Sequence, residues 1–467
     1  MKTEDQMTDM PDLVVGLDIG TTKIATIIGY KSDDKIDIIG HGRGESTGVQ
    51  HGLIYNINKT VDGINISKEQ AENRTDCFKV RNVFVGIAGR HIKSIEYKHV
   101  LTRINGKDFV IRQEEIDRML NDLYNISVPS GERIITVIPQ HYVIDREMDT
   151  NEPVGMLGEL IEGYFQLITG NESEIKKILM CVESAGLKAE DIILEPIASG
   201  LSCLSEEEKK QGVALVDIGG GTTDLAIYCE GNPVFTKVIP IGGSIITRDI
   251  ATVCQITEEL AEKLKTTCGT CIVEKSNSNH YITLPQFHAV QPRQINETHL
   301  AKIINMRVQN DILDQVKREI DSSGYADKLR AGVVLTGGGA TLKHIKELCQ
   351  YTLQKPVRIG IPEFGFVRNI PNDLKHPMYS TALGLLKYGI NKKEYAMETE
   401  QEEKPVVEER KTNPKPENPK PENSGKKLGN EGKNTSKPKN TDSKPWGSNF
   451  IMKKVQDFFE GLVDKTS

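Results

Sequence analysis

Two short segments of this chain carry an aspartate, a glycine-rich run and hydroxyl residues in the same order. One is Asp18-Ile19-Gly20-Thr21-Thr22-Lys23, and the other is Asp217-Ile218-Gly219-Gly220-Gly221-Thr222-Thr223-Asp224. Glycines let backbone N–H groups come close to an anion and form a nest for phosphate oxygens. A carboxylate at the mouth of such a turn suits Mg²⁺, which takes oxygen ligands and keeps several of its waters. Asp18 and Asp217 are therefore the expected metal-side groups, acting through water. Gly20, Thr21, Thr22, Gly219, Gly220, Gly221, Thr222 and Thr223 would surround the phosphates. Lys23 could neutralise phosphate charge, or could equally be a solvated strand end. Two such turns facing each other would clamp one nucleotide from both sides.

A third glycine run, Gly337-Gly338-Gly339, follows the apolar stretch Val333-Val334-Leu335. Leu342, Ile345 and Leu348 then recur at helical spacing, which predicts a helix over 341–351. A helix start there would offer N–H groups and a positive dipole end, and the glycines would leave room for a base or sugar.

The elements that must hold these turns are strands. Apolar runs stand before each aspartate turn (Leu13 to Leu17, Val213 to Val216) and after it (Ile24 to Tyr30, Leu225 to Tyr228). Each segment reads as a buried hairpin closed by glycine. Strands on both sides disagree with a Rossmann fingerprint, which needs a helix after the turn, and no Walker A sequence is present. One glycine run alone is most simply a tight turn; two near-identical ones suggest duplicated halves, and so a fold of two α/β lobes.

A chain of 467 residues is long enough for two or more cored domains. A net charge of −7 supplies no basic field for nucleic acid. The first dozen residues are polar and acidic, unlike a signal peptide, and no apolar run is long enough to cross a bilayer, so the body reads as soluble. Eight cysteines without an export signal read as reduced thiols. Cys268 and Cys271 have metal-like spacing but no second pair, so incidental thiols are the simpler reading.

With its three turns in this order, the chain resembles the actin-like ATPase superfamily, which has two phosphate loops and one adenosine loop. Within it the chain is most similar to the bacterial cell-division FtsA family, from about residue 11 to 389. The resemblance includes Val137-Ile138-Pro139-Gln140, Pro153-Val154-Gly155, Val357-Arg358-Ile359-Gly360 and the run Tyr379 to Leu386, all outside the nucleotide motifs. It implies an actin-like two-lobed α/β fold whose first lobe starts at 11–83. An inserted α+β subdomain would occupy 84–165, and the lobes would resume over 166–395. The plainer alternative for 84–165 is an ordinary α+β part of a lobe. Within that stretch, strands are expected at Val80 to Ile87 and Arg133 to Val143, and an amphipathic helix at Gln113 to Leu123.

The resemblance also implies ATP and Mg²⁺ as ligands and assigns further residues. Glu195, in Ile193-Leu194-Glu195-Pro196, would orient the attacking water or hydrated metal, although a helix-cap role on the surface fits too. Gly242 and Gly243 resemble the turn beside the sugar, and Glu262 and Lys265 the pair that contacts ribose and base. Three apart on one helix, those two could also be a plain exposed ion pair.

After about Lys392 the composition changes. Residues 396–445 are rich in proline and charge, and Pro414 to Asn418 repeats as Pro419 to Asn423. Such a segment cannot bury enough apolar surface to fold and reads as a disordered linker, spanning about 40 Å. Apolar residues return at 446–463. Trp446, Phe450, Ile451, Val455, Phe458, Phe459 and Leu462 lie along one stripe of an amphipathic helix. Such a helix would bury its face in a membrane surface, a partner or the parent body. The resemblance favours membrane, and Lys453 and Lys454 are offset by Asp457 and Glu460, leaving aromatic insertion as the main attraction.

The expected function is thus an ATP-binding, filament-forming adaptor with at most weak ATPase activity. It would hold the tubulin-like division protein FtsZ, with other division proteins, at the cytoplasmic face of the cell membrane. The alternatives are a pilus-type or shape-determining relative, and a small-molecule kinase of the same superfamily. A chaperone-type ATPase would need a folded domain where the linker lies.

Overall fold

The computed structural model describes residues 13–33, 35–75, 78–102, 110–284, 293–362, 366–368 and 370–402. The helix expected over 446–463, and the linker from 403 onward, lie outside the described residues.

Two five-stranded sheets of the same topology organise the chain. In the first, the strands run Lys188–Leu194, Asn82–Ile87, Val14–Ile19, Lys23–Ser32, Lys35–Glu45. In the second they run Val357–Ile359, Gly332–Thr336, Val213–Ile218, Thr223–Cys229, Asn232–Ile239. Each sheet joins an antiparallel three-stranded meander to two parallel strands. Val14–Ile19 and Val213–Ile218 are buried along their whole length. That explains their unbroken apolar sequences, since a strand covered on both faces has no solvent side to keep polar.

The hairpin registers match as well. Ile19 pairs with Ile24 and Asp18 with Ala25; Ile218 pairs with Thr223 and Asp217 with Asp224. Both turns close with the same bond, Gly20 N–H to Lys23 O at 3.0 Å and Gly219 N–H to Thr222 O at 2.9 Å.

Between the halves, helix Glu195–Cys203 crosses helix Ser380–Glu402. Ala382, Leu383, Leu385 and Leu386 of the long helix are fully buried with Phe84, Ile193 and Ala198. The long helix continues past 395 into the stretch read as linker, because 396–402 holds neither Gly nor Pro, the first proline coming at Pro405.

A separate four-stranded antiparallel sheet lies between the first-sheet strand Asn82–Ile87 and the helix Glu172–Ser184. Its order is Lys93–Thr102, Leu160–Asn171, Glu132–Ile144, Met148–Thr150. Helix Gln113–Tyr124 covers one face with Ile116, Met119, Leu120 and Leu123, against Val137, Phe165 and Leu167. The insert leaves the first lobe after Ile87, rather than at 84. The apolar run ending at Ile87 is a parallel strand of the first sheet, buried from Val83 onward. The insert also touches the second lobe: Gln140 Nε2 donates to Pro233 O at 3.1 Å, and Asn151 Nδ2 to Glu230 Oε2 at 2.7 Å.

Arg358 has a structural task. Its guanidinium donates to both Glu208 oxygens at 2.6 Å and to Cys203 O at 2.7 Å, joining the last strand of the second sheet to the end of the crossing helix. Burial works against the Glu208 carboxylate, but the Arg358 fork and the Ser205 N–H hold its pKa below the usual value. A carboxylate with a depressed folded pKa stabilises above its unfolded pKa of about 4.3 and loses that contribution as pH falls through the folded value. Arg358→Ala is expected to cost about 1.5–3 kcal/mol at pH 7, where charged hydrogen bonds are lost. The gap from the wild type should narrow below about pH 4. Urea melts of both proteins at the two pH values check this; a gap unchanged with pH would remove the ion pair as its cause.

Among the described residues no helix is long and apolar enough to cross a membrane. Cys268 is half-buried and Cys271 fully buried, both as free thiols, and burial pushes the Cys271 thiol up to about 12.

Candidate functional site

The two aspartate turns meet at one cleft between the lobes. Their approach depends on glycine: a Cβ on Gly220 would fall 2.3 Å from Thr22 Cγ2, and one on Gly221 would fall 2.5 Å from Thr21 Oγ1. Asp18, Gly20, Thr21, Thr22 and Lys23 line the cleft from the first hairpin, and Asp217, Gly219, Gly220 and Thr222 from the second. Glu195, Gly337 and Gly338 complete the expected lining. The cleft encloses about 80 Å³ and opens to solvent.

The third glycine run reaches the same place by a different local structure. Gly337 has φ 83°, and a Cβ there would lie 2.2 Å from Asp217 Oδ1, so only glycine lets this strand end approach the aspartate. A 3₁₀ turn, Gly338–Thr341, follows, and the α-helix begins at Ile345, later than the expected 341. His344, at φ 64°, separates the two. Leu342, Ile345 and Leu348 are all buried, so apolar spacing carried no mark of where the helix starts.

Gly221, Thr223, Gly242, Gly243, Glu262, Lys265 and Gly339 are not among the residues lining the cleft. Thr223 is fully buried and donates to Ile241 O at 2.8 Å. The N–H groups of Gly243 and Ser244, at the start of helix Gly243–Cys254, donate to Gly219 O and Gly220 O at 2.9 and 2.8 Å. A Cβ on Gly242 would meet Gly219 O at 2.6 Å. Lys265, buried, donates to Gly243 O at 3.1 Å and to Thr247 Oγ1 at 2.9 Å, and pairs with Glu262 at 2.6 Å. Through Gly243 this lysine is linked to the second turn, and it is not the exposed partner that simple helix spacing suggests.

The charge in the cleft is unbalanced. Asp18 pairs with Lys23 in a short ion pair. Burial raises the pKa of Asp217, helped by the charge of Asp18 and opposed by hydrogen bonds from Ser199 and Thr381. Asp224 is held well above the usual carboxylate range by burial and by Asp217. Its Oδ2 accepts from Thr222 Oγ1 at 3.1 Å, while its Oδ1 is buried with no partner. Glu195 opens the crossing helix at the cleft, not on the outer surface. Desolvation raises its pKa well above normal, with Asp18, Asp224 and Asp217 adding to the effect. The four carboxylates thus share one lysine, and a cation entering the cleft would relieve that excess. Among the described residues no three Asp, Glu, His or Cys side chains are grouped for direct metal ligation.

Several cleft residues escaped the sequence reading. Asp224 could have been found from register, because a four-residue turn places it directly opposite Asp217 and on the same face. Ser199 lies one helical turn after Glu195, which is a weaker signal. Gly52, whose N–H donates to Thr21 Oγ1 at 3.3 Å, and His51, whose Nδ1 lies 3.1 Å from Gly221 O, carried no local signal. Met378 and Thr381 also line the cleft.

The duplicated sheets, the crossing helices and the opposed turns define an actin-like α/β fold. Solved structures agree on the fold. The chain resembles the PilM-PilN type IV pilus biogenesis complex at TM-score 0.57 and 16% identity, covering 81% of this chain and 98% of that one. It also resembles MreB5 of Spiroplasma citri bound to ADP at TM-score 0.51 and 16% identity, covering 84% and 98%.

Within that class the chain belongs to the FtsA family of cell-division proteins. The family described as cell division protein FtsA matches residues 214–384, and the SHS2 domain inserted in FtsA matches residues 89–169. Cell division protein FtsA of Pseudomonas aeruginosa is 35% identical over 386 residues, 82% of this chain and 91% of that protein. FtsA of Bacillus subtilis is 35% identical over 377 residues, 81% and 83%. These matches set aside the pilus-type, shape-determining and small-molecule kinase alternatives.

Proposed function

We propose that this division protein binds ATP with Mg²⁺ in the interlobe cleft, assembles into filaments, and tethers FtsZ to the cytoplasmic face of the cell membrane. The observation that carries the nucleotide reading is the cleft itself: two opposed glycine turns above a carboxylate cluster that has one lysine and an unpartnered Asp224 oxygen. Asp18 and Asp217 would hold the metal through its water shell, and Thr21, Thr22, Gly220 and Thr222 would lie along the phosphates. Glu195 would orient a water. Mg²⁺, when bound, supplies the positive charge that a polyphosphate and these carboxylates lack. Binding across both lobes favours the closed state, so ATP acts as an assembly ligand with at most slow turnover.

Membrane attachment rests on the apolar stripe from Trp446 to Leu462. A single helix of that kind adheres weakly, and a filament carrying many of them gains avidity without any new contact. Liposome co-sedimentation tests this with the full chain and a form ending at Asp442, each with and without ATP·Mg. Binding is expected to need the tail and to strengthen with ATP. Binding by the shortened form, or none by either, would overturn the tethering role.

A further inference from the structure

Asp217 is held in a way that neither of the other two cleft aspartates shares. Ser199 Oγ, from the crossing helix, donates to Asp217 Oδ2 at 2.7 Å. Thr381 Oγ1, from the first turn of the long helix, donates to the same oxygen at 3.3 Å. The two hydroxyls are 3.0 Å apart. On the other side, Oδ1 lies against Gly337, at the end of strand Gly332–Thr336. Asp18 is held instead by a lysine, and Asp224 by the neighbouring Thr222 alone.

We propose that Ser199 and Thr381 are positioning residues: their hydroxyls fix the Asp217 carboxylate in the orientation that holds the nucleotide's cation, and tie that carboxylate to both crossing helices. Mere satisfaction of buried hydroxyls does not require this arrangement. A serine or threonine inside a helix can donate to a carbonyl on its own helix, as Thr247 does to Gly243 O and Ser202 to Ser199 O. Ser199 and Thr381 converge instead on one carboxylate oxygen from two different elements.

The residues on either side of Thr381 touch both lobes. Beside it, Ser380 Oγ meets Thr336 Oγ1 at 2.6 Å, and Ser202 Oγ donates to Ser380 O at 2.6 Å, which stitches the helix start to the second lobe. The next residue, Ala382, lies against the first lobe, where a Cβ on Gly16 would fall 2.7 Å from Ala382 O. A shift of the long helix therefore moves a hydroxyl that grips Asp217.

The inference rests on the reading of the cleft as an ATP·Mg site, and calorimetric titration of the full chain with ATP, in Mg²⁺ and in EDTA, separates the two. Groups that orient a metal-side ligand are typically worth roughly 10- to 100-fold in metal affinity. Thr381→Val, nearly isosteric, and Ser199→Ala are each expected to remove about tenfold or more of the affinity that Mg²⁺ adds. Thr381→Ser, which returns the hydroxyl, should restore most of it. Full Mg²⁺-dependent gain in both Val and Ala variants overturns the positioning role alone. An equal loss in Thr381→Ser and Thr381→Val also overturns it, because shape rather than the hydroxyl would then matter. A wild type that gains nothing from Mg²⁺ overturns the cleft reading, and the positioning role with it.

Discussion

Asp217→Ala is expected to lower ATP·Mg affinity about 100-fold or more, the upper part of the range for groups that position a metal, and to weaken filament formation with it. Asp217 meets four other residues of the second-lobe site: it faces Asp224 across the hairpin, accepts from Ser199 and Thr381, and lies against Gly337. Its effect on the unliganded protein should be small. Burial already penalises the charged carboxylate, so its removal relieves one cost while leaving two hydroxyls short of an acceptor. Ligand-induced stabilisation therefore separates the two roles. At ATP·Mg one hundred times the wild-type Kd, binding adds about 2.7 kcal/mol, and a 100-fold weaker variant keeps only about 0.4 kcal/mol. Thermal melts with and without ATP·Mg, run beside a sedimentation assay for filaments, read both. A variant that assembles normally with ATP would remove the second turn from the proposed mechanism.

Gly384→Ala should be the most damaging single-atom change in the crossing helices. A Cβ at 384 would stand 1.7 Å from Ala198 O and 2.3 Å from Ala198 C, which are backbone atoms with no rotamer to give way. Alanine normally improves a helix interior by about 1 kcal/mol over glycine. Here the two helices would have to separate, and overpacking of a tight core costs about 1–3 kcal/mol or more. Backbone atoms cannot yield, which puts the cost at the upper end of that range, and after the propensity gain a net loss of about 2 kcal/mol is expected by urea denaturation. Because Thr381 lies one turn before Gly384, ATP binding should fall as well. Unchanged stability would mean that the helices part without penalty and that this crossing does not fix the lobes.

Family membership and the two hairpins were legible in the sequence because turn chemistry is local. An aspartate, a glycine turn and flanking apolar runs specify a hairpin through near neighbours, and both hairpins formed in the same register. The insert's helix and its long strand were legible for the same reason, through amphipathic and apolar spacing. Boundaries were less so. The strand ending at Ile87 carries no polar face to show which sheet it joins, and the helical spacing of buried Leu342, Ile345 and Leu348 gives no sign of the 3₁₀ turn ahead of the helix.

What the sequence determined by itself is the pair of Asp-Gly turns, their likeness to one another, and the family. Only the tertiary structure decided which other groups share the cleft. Asp224 joins it through cross-strand register, Ser199 through the helix that Glu195 opens, Thr381 through the helix crossing at Gly384, and His51 and Gly52 through a turn laid across both hairpins. The physical reason is range: a turn is set by residues next to one another, whereas a shared carboxylate cluster is set by how closely two helices and two sheets can pack.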